Sequence, residues 1–435
     1  MKLLFFPSDL GGGFGHINRC QLLAKRAQAM GHDCAFVLND DKYYYKIAED
    51  FKVFYSNKRY ILPFIFKTLK TAISKFHKPN YPLFLEFSSV DFQVIRDGLL
   101  SHDIIKMKIN EYCTYVRTYK PDVLVGDMNF LTWIVSRMMS IPVVQIVRYI
   151  SHPETARIIW WKDVPDDVIS PRASELFNPL LKKYGLGTID KIEDLFRGDV
   201  YLVPSIPEIE PIPADNKTFF TGAFINNDSI NDYTPWHDII DTERQLLYIT
   251  IGGGAGPVGN KLLFERIAEA LNGSDMKVII STGGKFKPSY SLLKNDNIKI
   301  FDWLPGRLLI SKADIVIFHG GYSTMMETIA YGKPSIIIPF HSEQEGNGRR
   351  LEQYGCGKVI KLCMRPGAAV THNWKYGEYK YIIHNEFTLQ SDELLNSIES
   401  IKKDVTYIQK CRTLMAMNME YGGIDRAVSI IENFN

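Results

Sequence analysis

The chain has 435 residues, too many for one ordinary hydrophobic core, so two domains of about 200 residues each are expected. Hydrophobic residues make up 46% and charged residues 23%, which is typical of a globular protein, and the net charge of +2 gives no electrostatic reason to expect a nucleic-acid partner. The six cysteines contain no Cys-x-x-Cys pair, so the sequence predicts neither a zinc site nor a disulfide framework.

The sequence also argues against membrane insertion. No stretch approaches about 20 uninterrupted apolar residues, the length that a membrane-spanning helix needs. The opening MKLLFFPSDL is too short for a signal-peptide core and is a better first strand. With reduced thiols as the simplest state of the cysteines, these features predict a cytoplasmic protein.

The first 40 residues predict a β-α-β unit. KLLFFPS is a strand, NRCQLLAKRAQAM has helical spacing, and DCAFVLN is a second strand. This order fixes an α/β class with a mostly parallel sheet. The intervening loop GGGFGHIN is not a dinucleotide fingerprint, because His16 or Asn18 stands where the last glycine is required.

Residues 51–85 contain no acidic residue and mix lysines with aromatic side chains. Such a segment can lie on an anionic membrane surface, which would make the protein peripheral at the inner membrane face. It can also line a pocket for an apolar or acidic acceptor, or pack as helices against the domain. The sequence leaves all three possibilities open.

His16 and Asp127 are candidates for a catalytic pair. His16 begins the first helix at the ligand-binding edge of the sheet, and Asp127 ends the buried strand PDVLVGD. The simpler alternative is that each caps its own element. Further along, Arg148, His152 and Trp160 lie in an irregular segment that is predicted to form part of the wall of the acceptor site.

The second half opens with a strand, a glycine-rich loop and a helix. Residues 254–259 satisfy G-x-G-x-x-G, but the next strand ends in Ser281 and Thr282 without the carboxylate that NAD binding requires. We therefore expect Gly253 and Gly254 to form a backbone cradle near a diphosphate.

Residues 301–357 contain two consecutive β-α turns with ligand chemistry. Helix N-termini bind phosphate through free N–H groups and the helix dipole, and hydroxyls follow His319 at such a turn. Glu327 suits a ribose diol, whereas Glu343 and Gln344 suit a polyol. The indole of Trp303 could stack on a nucleobase, although a tryptophan at a strand end is often core.

This segment resembles the donor-binding signature of the UDP-glycosyltransferase superfamily, the inverting GT-B enzymes. The signature positions are filled by Trp303, Pro305, His319, Gly321, Glu327, Pro339, Glu343, Gln344 and Asn347. Gly306 replaces the glutamine that usually follows Trp-x-Pro. The pair Ser323 and Thr324 replaces Asn-Ser and is closer to bacterial members.

The resemblance implies a GT-B fold, with two Rossmann-like domains whose parallel sheets face a central cleft. It implies an acceptor domain at residues 1–222, a nucleotide-sugar domain at 223–412, and a last helix at 413–435 that packs back on the first domain. His16, oriented by Asp127, would be the general base of an inverting transfer from a UDP-sugar to a small-molecule or lipid acceptor. The implied donor-binding set is Gly15, Gly253, Gly254, Trp303, Leu304, His319, Gly321, Ser323, Thr324, Glu327, Glu343 and Gln344.

No resident cofactor is expected, because the nucleotide diphosphate sugar is a co-substrate. No Asp-x-Asp occurs in the chain, so no metal is expected either, and helix ends and hydroxyls would stabilise the departing diphosphate. Two alternatives remain: a nucleotide-sugar epimerase or hydrolase on the same fold, and a non-catalytic nucleotide-sugar-binding partner of another transferase.

Overall fold

The computed structural model describes residues 1–9, 14–39, 43–56, 84–155, 168–225, 240, 243–251, 260–283, 296–364, 367–384 and 387–434. Two parallel sheets form the cores of two α/β domains, as the sequence predicts. Within the described ranges, none of the helices combines the length and the apolarity that crossing a bilayer would require.

The first domain is built on a seven-stranded parallel sheet with the strand order β3-β2-β1-β5-β6-β7-β8. Its elements in chain order are β1 (Lys2–Pro7), α1 (Phe14–Ala29), β2 (Asp33–Leu38), α2 (Tyr44–Ala48), β3 (Lys52–Tyr55), β4 (Phe84–Glu86), α3 (Asp91–Arg96), α4 (His102–Tyr119), β5 (Val123–Asp127), α5 (Thr132–Met139), β6 (Val143–Ile146), α6 (Ala173–Lys183), a 3₁₀ helix (Ile192–Phe196), β7 (Val200–Val203) and β8 (Thr218–Phe220). The order reverses beside β1, the position where ligands bind in open parallel sheets.

The second domain is built on a six-stranded parallel sheet with the strand order β11-β10-β9-β12-β13-β14. Its elements are β9 (Leu246–Thr250), α7 (Asn260–Leu271), β10 (Lys277–Ser281), β11 (Ile298–Phe301), α8 (Gly306–Lys312), β12 (Ile315–Phe318), α9 (Tyr322–Ala330), β13 (Ser335–Ile337), α10 (Ser342–Gln353), β14 (Gly357–Val359), β15 (Cys363–Met364), β16 (Ala368–Trp374), β17 (Gly377–His384), β18 (Phe387–Thr388), α11 (Ser391–Lys403), α12 (Thr406–Glu420) and α13 (Gly423–Asn433).

The central strands are buried on both faces because helices cover each side of a parallel sheet. Strands β5, β9 and β12 are buried along their whole length, and their sequences VLVGD, LLYIT and IVIF are almost continuously apolar. Separate hydrophobic clusters lie on the two faces of each sheet. The polar and glycine-rich segments therefore lie at the ends of the strands.

The last helix, α13, belongs spatially to the first domain. Ile424, Ala427, Val428 and Ile431 of this helix are buried in the same hydrophobic cluster as Ile17, Cys20, Leu23, Ala24 and Ala27 of α1. The linker between the domains passes the start of α13, where the amide of Gly423 donates to the carbonyl of Thr221 (2.6 Å). The domain boundaries at residues 222 and 412 stay predictions.

A hairpin from the second domain reaches the first domain. Its strands β16 and β17 pair with each other, and β17 also pairs antiparallel with β4 of the first domain. The sequence analysis did not anticipate this small sheet. Lys380 of β17 also exchanges two backbone hydrogen bonds, of 3.0 and 2.9 Å, with Ile169 of the first domain.

The side chains at the tip of the hairpin strengthen this link between the domains. The rings of Trp374 and Tyr376 pack against the hydrophobic cluster of the first domain. Nε of Arg172 donates to the carbonyl of Tyr376 (2.7 Å), and the hydroxyl of Tyr376 lies 3.1 Å from Nε2 of His102. Backbone pairing and apolar contact therefore both tie the hairpin to the first domain.

We expect Trp374→Ala to lower the free energy of unfolding by about 1–2 kcal/mol, because the half-buried indole loses its apolar contact with the first domain. Urea unfolding followed by circular dichroism measures the change. Asn373→Ala is the matched control, since Asn373 is exposed on the opposite face of β16, and its effect should stay within about 0.5 kcal/mol. Equal losses in the two variants would contradict the proposed contact.

Candidate functional site

His16 and Asp127 meet at the carboxyl edge of the first sheet. Asp127 is the last residue of β5 and pairs in register with Pro7 of β1, the strand that leads to the loop before His16. Nδ1 of His16 lies 2.8 Å from Oδ1 of Asp127. The carboxylate is fully buried, whereas 26% of the imidazole side chain is exposed. This contact leaves Nε2 as the ring nitrogen that faces away from the carboxylate.

Arg19 is a third member of this cluster that the sequence analysis missed. It lies one helical turn after His16, and its guanidinium binds both oxygens of Asp127, with Nε 3.0 Å from Oδ2 and Nη2 2.8 Å from Oδ1. Nη2 also lies 2.8 Å from Nδ1 of His16. Burial alone would raise the pKa of Asp127, but the charge of Arg19 and the contact with His16 outweigh burial and hold that pKa below its ordinary value.

A polar pocket lies beside the pair in the first domain. Asn39 donates to Asp9 (2.9 Å) and to the hydroxyl of Tyr112 (3.0 Å), while Nζ of Lys108 donates to the side-chain oxygen of Asn39 (3.2 Å). Asp97 also lines this pocket, and burial raises the pKa of its carboxyl. The pocket is therefore lined by buried polar groups that bond to one another.

The N-terminus of α9, in the second domain, faces the first turn of α1, where His16 lies. The first amides of α9 have no partner within the helix, and the hydroxyls of Ser323 and Thr324 lie in its first turn. A Cβ added to Gly15 would lie only 3.1 Å from Oγ of Ser323, so the first turns of α1 and α9 touch. The hydroxyl of Ser323 is buried and has no hydrogen-bond partner among the described residues.

Close backbone packing shapes the turn before α9. Gly320 has a φ of 83°, and a Cβ there would lie 2.4 Å from the carbonyl oxygen of Gln344. A Cβ on Gly321 would lie 2.4 Å from Nε2 of His319. The imidazole of His319 therefore lies against Gly321, the residue that caps the N-terminus of α9.

The predicted base contact follows β11, and the predicted ribose contact lies inside α9. The indole of Trp303 is 65% exposed, which leaves a face available for stacking, whereas Leu304 is buried in the core. Glu327 pairs with Arg307, whose Nε lies 3.0 Å from Oε1. Burial raises the pKa of Glu327, and the charge of Arg307 opposes that rise.

Glu343 and Gln344 begin α10, opposite the first domain. The side chain of Gln344 accepts a hydrogen bond from the amide of Phe340 (2.9 Å). Glu343 forms an ion pair with Arg148 of the first domain. Burial alone would raise the pKa of Glu343, but Arg148 and, less strongly, His341 lower it to about 2. The carboxylate predicted to bind the sugar is therefore ionised and held by an arginine from across the cleft.

The predicted acceptor set needs correction. Arg148 is buried in the domain interface and engaged by protein groups, so it does not line an open acceptor pocket. His152 is fully buried, with Nε2 3.0 Å from the hydroxyl of Thr218 and its ring against Tyr201. Burial lowers its pKa. It packs inside the first domain rather than facing a ligand.

Several predicted residues lie outside the described ranges: Trp160, Gly253, Gly254 and residues 57–83 of the basic and aromatic segment 51–85. Their roles stay predictions. The described residues hold no group of three or more His, Cys, Asp or Glu side chains that could bind a metal ion.

His341 lies in the cleft between Glu343 and the first domain. Its ring centroid lies 5.6 Å from that of Phe87, and the amide of Phe87 donates to Oγ of Ser342 (3.0 Å). Burial lowers the pKa of His341 to about 4, although the charge of Glu343 opposes this. Like Arg19, this residue escaped the sequence analysis. A histidine two residues before the Glu-Gln pair was the available signal.

Comparisons with known proteins place this site in a family context. Residues 249–366 match the family model described as "Glycosyltransferase family 28 C-terminal domain". A relative named "PGL/p-HBAD biosynthesis glycosyltransferase" from Mycobacterium tuberculosis (strain ATCC 25177 / H37Ra) is 27% identical over 265 residues. That match covers 55% of this chain and 59% of the relative, so the chain spans about three fifths of the relative's length.

Two solved structures share the whole fold. The calicheamicin glycosyltransferase CalG4 has a TM-score of 0.70 at 16% identity and covers 100% of this chain and 98% of its own. The spinosyn rhamnosyltransferase SpnG, solved with thymidine diphosphate, has a TM-score of 0.67 at 16% identity and covers 99% of this chain and 100% of its own. The similarity extends over both domains.

The environment of His341 predicts a pH dependence of stability. Its folded pKa of about 4 lies below the ordinary value of 6.5, so the unfolded chain binds the proton first as the pH falls. Stability is therefore full above pH 6.5 and is lost as the pH falls toward 4, by an amount on the order of 2 kcal/mol.

Urea unfolding of the wild type and of His341→Gln, measured in steps from pH 7 to pH 4, tests this expectation. The variant cannot titrate at this position, so its stability should fall less over the interval. Parallel curves for the two proteins would contradict the assignment.

Proposed function

We propose that this chain, a member of the glycosyltransferase superfamily, transfers a sugar from a nucleotide diphosphate sugar to a hydroxyl of a small-molecule or lipid acceptor. The single observation that most supports this proposal is the contact of 2.8 Å between Nδ1 of His16 and Asp127, directly beside the N-terminus of α9. A general base and an anion-binding helix end are the two groups that such a transfer requires.

The second domain supports a nucleoside diphosphate as the leaving group. The free amides at the start of α9 and the hydroxyls of Ser323 and Thr324 suit a diphosphate, and the exposed indole of Trp303 suits a base. A UDP-sugar is the first candidate. The structure of SpnG with thymidine diphosphate makes a TDP-sugar the second.

An apolar or amphipathic acceptor fits the first domain. The rings of Phe87 and Phe92 are partly exposed near the domain interface, with their centroids 5.9 Å apart. The mycobacterial relative is named for PGL/p-HBAD biosynthesis, and the SpnG enzyme has also been solved with spinosyn aglycone. We propose a cytoplasmic enzyme, with peripheral membrane contact if the acceptor is a lipid.

The proposed reaction is a displacement at the anomeric carbon. Nε2 of His16 takes the proton from the acceptor hydroxyl, and the acceptor oxygen forms a bond to the anomeric carbon. The bond from that carbon to the diphosphate oxygen breaks, and the nucleoside diphosphate leaves with the electron pair. Attack opposite the leaving group inverts the anomeric configuration. Asp127 and Arg19 hold the imidazole, and the start of α9 stabilises the charge of the diphosphate.

We expect His16→Ala to lower kcat by about 10²- to 10⁴-fold, because the acceptor hydroxyl loses its base. Binding of the nucleoside diphosphate should change by less than about twofold, since His16 lies outside the α9 turn. Steady-state kinetics with calorimetric titration of UDP and TDP measures both quantities. His32→Ala is the matched control, because His32 also contacts a carboxylate (Glu432, 2.8 Å) but lies at the opposite end of α1. Unchanged turnover in His16→Ala would remove the base assignment.

Metal independence and inversion follow from the same proposal. We expect full activity in excess EDTA, and an α-linked donor should give a β-linked product in the proton NMR spectrum. Loss of activity that Mg²⁺ restores, or retention of configuration, would contradict the mechanism. Incubating the donor without acceptor tests the alternatives, since an epimerase or a hydrolase would consume it at catalytic rates.

A further inference from the structure

Arg148 is a buried cation of the first domain that contacts the donor-binding elements of the second. It lies two residues beyond the end of β6 and is only 5% exposed. Its Nε donates to Oε1 of Glu210 (3.2 Å) within the first domain. The amide of Tyr149 donates to the other oxygen of Glu210, so this carboxylate holds both the guanidinium of Arg148 and the backbone that follows it.

The remaining contacts of the guanidinium cross the cleft. Nη1 forms an ion pair with Glu343, and Nη2 donates to the side-chain oxygen of Asn347 (2.7 Å). Asn347 in turn donates to the carbonyl of Gly320 (2.8 Å), in the turn before α9. The guanidinium carbon also lies 3.7 Å from the ring centroid of Tyr322, the first residue of α9. One side chain thus contacts Glu343 at the proposed sugar turn, the first residue of α9 and, through Asn347, the turn before α9.

The ion pair with Arg148 affects both the charge and the orientation of Glu343. The carboxylate oxygens of Glu343 are predicted to accept hydrogen bonds from sugar hydroxyls, which requires an ionised group in a fixed orientation. Arg148, His341 and His16 are the charged or titratable groups that act on it. Only Arg148 forms an ion pair with Glu343 among the described residues. Without it, the burial of Glu343 would favour protonation, which would turn an acceptor oxygen into a donor.

We propose that Arg148 is a positioning residue for the donor sugar, which acts through Glu343 and completes the sugar subsite from the opposite domain. This inference rests on the proposed function. It assigns to the first domain a part in donor selection, because Glu343 is held in its binding orientation only when Arg148 reaches it.

The test separates the contribution of the sugar from that of the nucleotide. Calorimetric titration gives Kd for UDP and UDP-glucose, and for TDP and TDP-glucose, with the wild type, Arg148→Met, Glu343→Gln and the double variant. The measured quantity is the ratio of the Kd of the nucleoside diphosphate to that of its sugar. We expect Arg148→Met to lower this ratio by roughly tenfold while the Kd of UDP or TDP changes by less than about twofold.

The double variant distinguishes positioning from a general structural role. If Arg148 acts through Glu343, Arg148→Met causes no further loss of the ratio in the Glu343→Gln background. The same loss in both backgrounds overturns the proposal. Arg137→Met is the matched control, since Arg137 forms a comparable ion pair with Asp199 (2.7 Å) on the surface of the first domain, and its ratio should equal that of the wild type.

Two further outcomes are decisive. If the wild type binds a nucleotide sugar but Arg148→Met keeps the full ratio, this inference fails and the proposed function stands. If the wild type binds none of the four probes, the proposed function fails as well. Should Arg148→Met not fold, Arg148→Lys replaces it in both backgrounds. That variant keeps a cation but loses the planar fork, so a smaller fall in the ratio supports the proposal and an unchanged ratio overturns it.

Discussion

Two buried guanidinium groups contact the same aromatic ring at the centre of the cleft. The guanidinium carbons of Arg19 and Arg148 lie 5.3 and 3.7 Å from the ring centroid of Tyr322. Removing a cation from water costs several kcal/mol unless carboxylates and hydrogen bonds replace the water. Asp127 does this for Arg19, and two glutamates do it for Arg148. The positions of these charges therefore depend on the whole fold and not on any one loop.

One short chain of contacts joins the proposed general base, His16, to the proposed donor contact, Glu343. On one side, Arg19 and Asp127 hold the imidazole of His16. On the other side, Arg148 holds the carboxylate of Glu343, which we propose binds the donor. Tyr322 lies between them as the first residue of α9, and its hydroxyl donates to the carbonyl of Pro204 (3.1 Å). Burial raises the pKa of Tyr322, so the ring stays neutral between two cations.

Local patterns were enough to predict the two sheets, the contact between His16 and Asp127, and the helix start at Ser323 and Thr324. Alternating β and α segments fixed the α/β class, and parallel pairing of β1 with β5 brought His16 to Asp127 because the ends of neighbouring strands lie at one edge. Ser323 and Thr324 could be placed because a glycine-rich turn before an apolar periodic segment marks a helix start.

Contacts between distant parts of the chain could not be predicted in this way. An arginine on a helix normally extends into solvent, so no local pattern predicts that Arg19 is buried beside Asp127. Its spacing of three from His16 does place both residues on one helix face. Arg148 follows a strand end, where a ligand contact and an interdomain contact are both reasonable. The pairing of β17 with β4 has no local signal, because neither strand's sequence specifies its partner.

The pairing of β17 with β4 has a consequence for recombining such proteins. Chimeras of two-domain relatives are naturally joined where the chain passes from one domain to the other, which here is at the linker and before the last helix. Here a strand encoded late in the gene pairs with β4 of the front half. A chimera joined near residue 222 would bring together a β4 and a β17 that never evolved as a pair. The unit to exchange is therefore discontinuous in sequence. It consists of the first domain together with the hairpin β16–β17, although that hairpin is encoded within the second domain.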